Sequence, residues 1–290
     1  MNSASPSSID NEEKKNFALI CEITTSSGPR KGMPSERSSN LELGEDSGGV
    51  LSLPNQLGII WIADGTSDST RIGSFSSRIL AQDLGQVFST EILTCWARLR
   101  KIKEPDISLS QIVEETVNKT KLKWASRLKE NPEEEKALVR SLSSLKQKAP
   151  EPGAIFYEFS STFSAVALDR EGNLNCVAAG DSLTAIFKKE ENQFFSFKKG
   201  GVTFRLKVKG GKIICEKFLS PLENYQTGET NFVILSSDGA KETILSLTKN
   251  KKLLKPNLEH FLLLKQKSIG TYPKTQDDKT LGLIGRIHAS

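Results

Sequence analysis

Three passages of this chain share one form, an apolar strand-like run that ends in an acid followed by glycine or serine. They are Ile60-Trp61-Ile62-Ala63-Asp64-Gly65, Cys176-Val177-Ala178-Ala179-Gly180-Asp181-Ser182 and Val233-Ile234-Leu235-Ser236-Ser237-Asp238-Gly239. Glu45-Asp46 and Asp277-Asp278 are further acidic pairs beside strand-like segments. A carboxylate at a strand end is aimed by rigid backbone, and several aimed into one cleft make an all-oxygen site suited to Mg2+ or Mn2+. Asp-Gly is also a common turn signal, so each pair taken singly reads first as a turn. Repetition of the form after strongly apolar strands is what favours a divalent-metal carboxylate site.

Other chemistries find little material. The chain has 2 histidines, which cannot build a His-rich metal site and leave little choice for a Ser-His-Asp arrangement. The 4 cysteines, Cys21, Cys95, Cys176 and Cys215, form no CxxC pair and mostly sit in strand-like apolar surroundings, the setting of small buried hydrophobes. After Cys95 comes Trp96-Ala97-Arg98-Leu99-Arg100, which reads as a helix end rather than a phosphate-cradling loop.

The elements that must position the acids follow from periodicity. Phe17–Thr24, Gly49–Leu53 and Gly58–Ala63 read as strands, and the Gly/Pro/Ser-rich loop between the first two is expected to move unless a ligand orders it. From Ile72 the apolar residues recur at helical spacing through Leu99, and a second helix is expected over about Ser110 to Lys129. Asn131-Pro132-Glu133-Glu134 has the form of an N-cap, an N1 proline and an acidic first turn, opening a third helix that stops near Pro150. Period two then returns. Strands are expected at 162–168, 174–179, 183–187, 193–197, 202–207, 212–217, 231–236 and 280–287, with helices from near Lys241 and around Leu258–Lys265.

Strands, then helices, then strands describe an α+β chain. Two antiparallel sheets packed face to face, with one-sided helices covering their outer faces, give a four-layer αββα sandwich. With 290 residues, 37% hydrophobic and 26% charged, the composition is that of a globular domain, expected over 17–290. Residues 1–16 have no apolar core segment and read as a disordered tail rather than a signal peptide. No run reaches the roughly 18 apolar residues of a membrane span, so a cytoplasmic protein with no membrane partner is expected.

Between Lys188 and Lys217 the chain carries nine Lys or Arg against three Glu, interleaved with phenylalanines. Strand alternation would put the phenylalanines on a core face and the lysines in solvent, so this stretch does not call for nucleic acid. At most it would steer an acidic or phosphorylated protein.

The acidic passages, taken in order, resemble the motifs of the metal-dependent (PPM, type-2C) serine/threonine protein phosphatases over roughly residues 17–288. Glu45-Asp46, Ala63-Asp64-Gly65, Ser161-Thr162, Gly180-Asp181-Ser182, Ser237-Asp238-Gly239 and Asp277-Asp278-Lys279-Thr280 stand in the family's order, separated by the expected elements. The resemblance implies hydrolysis of phosphoserine and phosphothreonine on proteins by a metal-activated water, with two Mn2+ or Mg2+ ions per chain and no phosphoenzyme. It implies catalytic roles for Asp64, Asp238 and Asp278. Asp64 would bridge the metals and the Gly65 carbonyl would ligate one of them. Asp238 and Asp278 would hold the first ion, and Glu45, with Asp46 beside it, would serve the second. Gly180 and Asp181 would form a structural turn.

The chain also departs from the family. Leu41 stands where members commonly carry a phosphate-gripping arginine, so Arg37 or Arg30 would have to substitute. Thr66-Ser67-Asp68-Ser69-Thr70 replaces a glycine-rich run, Tyr157 falls near the place of a third-metal aspartate, and Leu183 replaces an arginine. These departures define the alternative expectation, a phosphatase-like regulatory or binding module with weak or no turnover.

Overall fold

The computed structural model describes residues 17–26, 46–53, 56–65, 73–99, 107–130, 156–188, 192–196, 204–209, 212–217, 222–226, 228, 230–249, 255–270 and 279–288. The tail 1–16, the loop after the first strand and the helix expected over 131–149 lie outside the described residues.

Two five-stranded antiparallel sheets form the centre. Sheet I runs β1 (Phe17–Ser26), β13 (Lys279–His288), β12 (Thr230–Ser236), β7 (Leu183–Lys188) and β8 (Asn192–Ser196). Sheet II runs β11 (Leu222–Gln226), β6 (Leu174–Ala179), β5 (Phe163–Asp169), β3 (Leu57–Asp64) and β2 (Asp46–Leu53). A third, three-stranded sheet joins β10 (Lys212–Lys217), β9 (Phe204–Lys209) and β4 (Phe156–Ser161), and β4 ends in an isolated bridge between Ser161 and Gly65. Beyond the two sheets expected from periodicity, this third sheet is an addition.

The period of two sorts side chains into separate cores. Along β3, Ile60 and Ile62 meet Val166, Leu168, Ile186, Val233, Leu235 and Ile284 between the sheets. The alternate residues Leu57, Ile59, Trp61 and Ala63 face outward onto α1 (Gly73–Leu99) and α2 (Leu109–Glu130). On the other side, Phe232, Ile234, Leu281 and Leu283 pack under α3 (Lys241–Lys249) and α4 (Leu258–Gly270). The result is an α+β four-layer αββα sandwich. No helix among the described residues is long and apolar enough to cross a membrane.

Local chemistry sets the helix starts. Ser108 Oγ accepts from the Gln111 amide at 3.0 Å while Gln111 Oε1 accepts from the Ser108 amide at 2.9 Å, a reciprocal cap for α2. Asn257 Oδ1 accepts from the His260 amide at 2.9 Å at the start of α4. The α1–α2 pair is stapled by Asp83, whose carboxylate accepts from Trp124 Nε1 at 2.8 Å and from Lys123 Nζ at 2.6 Å. Asp83→Ala removes an acceptor from a buried indole, so a loss of about 2–3 kcal/mol is expected in urea unfolding.

Candidate metal centre

Sheet II delivers two acids to one mouth of the sandwich. On β3 the inward series Ile60, Ile62 continues to Asp64 at the strand end, and β2 begins with Asp46 paired directly to Asp64. Paired residues share a face, so both carboxylates belong to the space between the sheets. Asp181 follows Gly180 in the turn from β6 to β7, and Asp238 opens the 3-10 turn Asp238–Ala240 that follows β12. Asp64, Asp181 and Asp238 each offer a carboxylate oxygen, and the three lie within 4.8 Å of one another. Asp64 and Asp181 are half-buried and Asp238 is exposed, so the cluster opens to solvent on the Asp238 side.

Backbone contacts fix these positions. The Thr162 amide donates to the Asp64 carbonyl at 2.8 Å, Ser161 Oγ donates to the same carbonyl at 2.9 Å, and the Asp64 amide donates to Thr162 Oγ1 at 3.2 Å. Ser161-Thr162 therefore clamps the main chain of Asp64. On sheet I the Ser237 amide donates to the Thr280 carbonyl and the Thr280 amide donates to Ser237 Oγ, both at 3.0 Å, which anchors the turn carrying Asp238. Gly180 has φ +126°, and a Cβ there would lie 2.6 Å from Cβ and Cγ2 of Thr162. Only glycine lets the Asp181 turn approach the Asp64 clamp this closely.

Electrostatics at the cluster are unfavourable to full ionisation. Burial holds the Asp64 carboxyl well above the usual carboxylate range, and the charges of Asp46 and Asp238, a hydrogen bond with Asp46 and the charge of Asp181 push it further the same way. A proton shared between two carboxyls is how such a cluster limits its own repulsion. A hard divalent cation does the same by charge, and the donor set here, carboxylate oxygens with no histidine or cysteine, suits Mg2+ or Mn2+. The residues present fit such an ion.

The structure thus brings together Asp46, Asp64 and Asp238, with Gly65 buried beside them. Asp181 sits on its turn as the motif implies, and its carboxylate also joins the cluster, a role the resemblance does not give it. Its signal was present in the sequence, since it ends an apolar strand just as Asp64 and Asp238 do. Glu45, Asp278, Arg30, Arg37 and the 66–70 segment lie outside the described residues.

The sequence matches no family model and no curated protein. Solved structures do resemble it. Its structural neighbours include serine/threonine phosphatases. The phosphatase PstP/Ppp of Mycobacterium tuberculosis is 14% identical, with 93% of this chain and 100% of that one covered and a TM-score of 0.47. The catalytic domain of PstP, in complex with two manganese ions, is 15% identical over 93% of this chain and 99% of that one, also with a TM-score of 0.47. The PP2C phosphatase domain of the cell-fate determinant SpoIIE from Bacillus subtilis is 14% identical over 95% of this chain and 66% of that one, with a TM-score of 0.43.

Proposed function

We propose that this chain is a Mg2+- or Mn2+-dependent phosphatase that hydrolyses phosphoserine and phosphothreonine on proteins. The observation that carries the reading is the meeting of Asp64, Asp181 and Asp238 within 4.8 Å, at the positions where the ordered motifs resemble those of the type-2C phosphatases.

Asp46, Asp64, Asp181 and Asp238 would hold the ions, completed by Glu45, Asp278 and the Gly65 carbonyl as the resemblance implies. Divalent ions bound there would acidify a water and draw charge from the phosphoryl oxygens. The chain's own residues set the geometry. Asp64, at the back of the cluster, must give up its proton as it takes up a ligand role, and Ser161 and Thr162 hold its backbone still meanwhile. Asp238, at the exposed rim, faces the side from which a phosphoprotein arrives. Arg30 or Arg37 would grip the phosphate.

Nucleophilic catalysis by Cys21 or Cys176 lacks support. Burial pushes the Cys21 thiol up to about 11 and the Cys176 thiol higher still, so neither supplies thiolate near neutral pH.

With Mn2+, the purified protein is expected to hydrolyse a small aryl phosphate and a phosphothreonine peptide, and chelation is expected to abolish both activities reversibly. Absence of saturable Mn2+ binding in a calorimetric titration would sink the reading.

One observation favours the second reading, a binding or regulatory module with weak turnover. Leu183, in the place where the family carries an arginine, is 1% exposed in sheet I and presents no cation to a substrate. Tight binding of Mn2+ without hydrolysis of either substrate would select that module.

A further inference from the structure

The facing surfaces of the two sheets grade from apolar to polar toward the mouth. Deep in the sandwich, Ile60, Val166 and Cys176 of sheet II meet Ile186, Val233 and Ile284 of sheet I. One period nearer the acids the same columns carry Gly48, Ile62, Ser164 and Ala178 on sheet II and Thr184, Leu235 and Gly282 on sheet I. At the mouth itself, Asp46 and Asp64 are joined by Ser182 and Thr280.

Four hydroxyls lie in this stratum. Ser164, Ser182, Thr184 and Thr280 are each at most 1% exposed, and none of the four hydroxyls has a hydrogen-bond partner among the described residues. Thr280 reaches across the gap, its Cγ2 lying 3.2 Å from where a Cβ on Gly48 would be, two residues along the strand from Asp46. Ser182 directly follows Asp181. Buried hydroxyls are almost always satisfied, by protein or by ordered water. Four without protein partners among the described residues, gathered beneath one acidic cluster, mark a place that takes up water.

We propose that this stratum is hydrated, and that Ser164, Ser182, Thr184 and Thr280 are positioning residues for the metal-binding acids. They hold water whose hydrogen bonds reach the carboxylates above and fix their orientation. The orienting role rests on the metal reading given above, while the hydration does not. Groups that orient metal ligands from behind typically cost roughly 10–100-fold in metal affinity when removed.

The test uses the full chain with Thr184→Val, Thr280→Val and the hydroxyl-retaining Thr280→Ser. Mn2+ affinity is measured by calorimetric titration, and the melting temperature is measured without metal. Each valine variant is expected to bind Mn2+ about tenfold or more weakly. It should also melt about 2–4 °C lower in the metal-free state, with Thr280→Ser close to the native protein in both readings. Valine variants that melt at or above the native temperature would overturn the hydration, because that is how removal of a dry, unsatisfied hydroxyl behaves. A lower melting temperature with unchanged Mn2+ affinity would overturn the orienting role. If the native protein itself binds no Mn2+, the metal reading fails along with that role, and the melting series alone still decides the hydration. Ser164→Ala, a smaller change, is read by the same criteria should a valine variant not fold.

Discussion

Asp64→Asn is expected to stabilise the metal-free protein while destroying its affinity for Mn2+. In the folded chain the Asp64 carboxyl titrates well above its ordinary range, through burial first and then the surrounding acids. The folded state therefore keeps a proton that the unfolded state has already released. This contribution to stability is complete below the ordinary carboxylate range and is lost as pH rises through the raised value of Asp64. Above that value a buried charge faces Asp46, Asp181 and Asp238. Asparagine keeps the shape and removes the charge. Near pH 8 without metal, the variant should melt measurably above the native protein. Near pH 4 that gain should shrink toward zero. With Mn2+ present the order reverses, since the native protein alone gains binding energy. Loss of affinity should be at least about 100-fold, with hydrolysis lost in parallel. A variant less stable than the native protein at every pH, or one that still binds Mn2+ normally, would show that Asp64 is not the centre of this cluster.

Gly180→Ala is expected to be the most damaging single-methyl change at the site. Its φ of +126° is strained for any residue with a Cβ, and that Cβ would lie 2.6 Å from the Thr162 side chain. Thr162 cannot yield freely, because its backbone amide and its hydroxyl both bind Asp64. Strain and overpacking together should cost roughly 3 kcal/mol or more in urea unfolding. Relief by moving the turn would shift Asp181, and relief by moving Thr162 would shift Asp64, so Mn2+ affinity should fall as well. Stability and affinity both equal to the native values would contradict this coupling.

Much of the architecture is legible in the sequence because the buried elements carry clean periods. The β3 pattern, with Ile60 and Ile62 on one face and Ile59, Trp61 and Ala63 on the other, specifies a strand buried on both sides. The long helices follow for the same reason. What escaped detection is physically distinct. Strand β11 is an edge strand of sheet II, and β4 is an edge strand of the third sheet. Their sequences, Leu222-Glu223-Asn224-Tyr225-Gln226 and Phe156-Tyr157-Glu158-Phe159-Ser160-Ser161, carry no clean period of two. The start of β2 was hidden by Ser47-Gly48-Gly49, residues of poor strand propensity. Gly49 is needed there because a Cβ would enter the Trp61 ring. At the site, the form of the acidic passages pointed equally to Asp64, Asp181 and Asp238. The family resemblance then set Asp181 apart as a turn residue, although the turn's geometry also carries its carboxylate into the cluster.

The clustered acids come from four separate stretches of chain, ending with the turn at Asp238 after β12 has joined sheet I. No amino-terminal fragment that stops short of Asp238 holds the set. Contacts so distant along the polymer form late and depend on both sheets having docked. During translation the four-acid cluster therefore cannot exist until most of the polypeptide has left the ribosome. A half-made chain lacks the cluster by topology alone, and whatever ion the cluster takes must wait for both sheets.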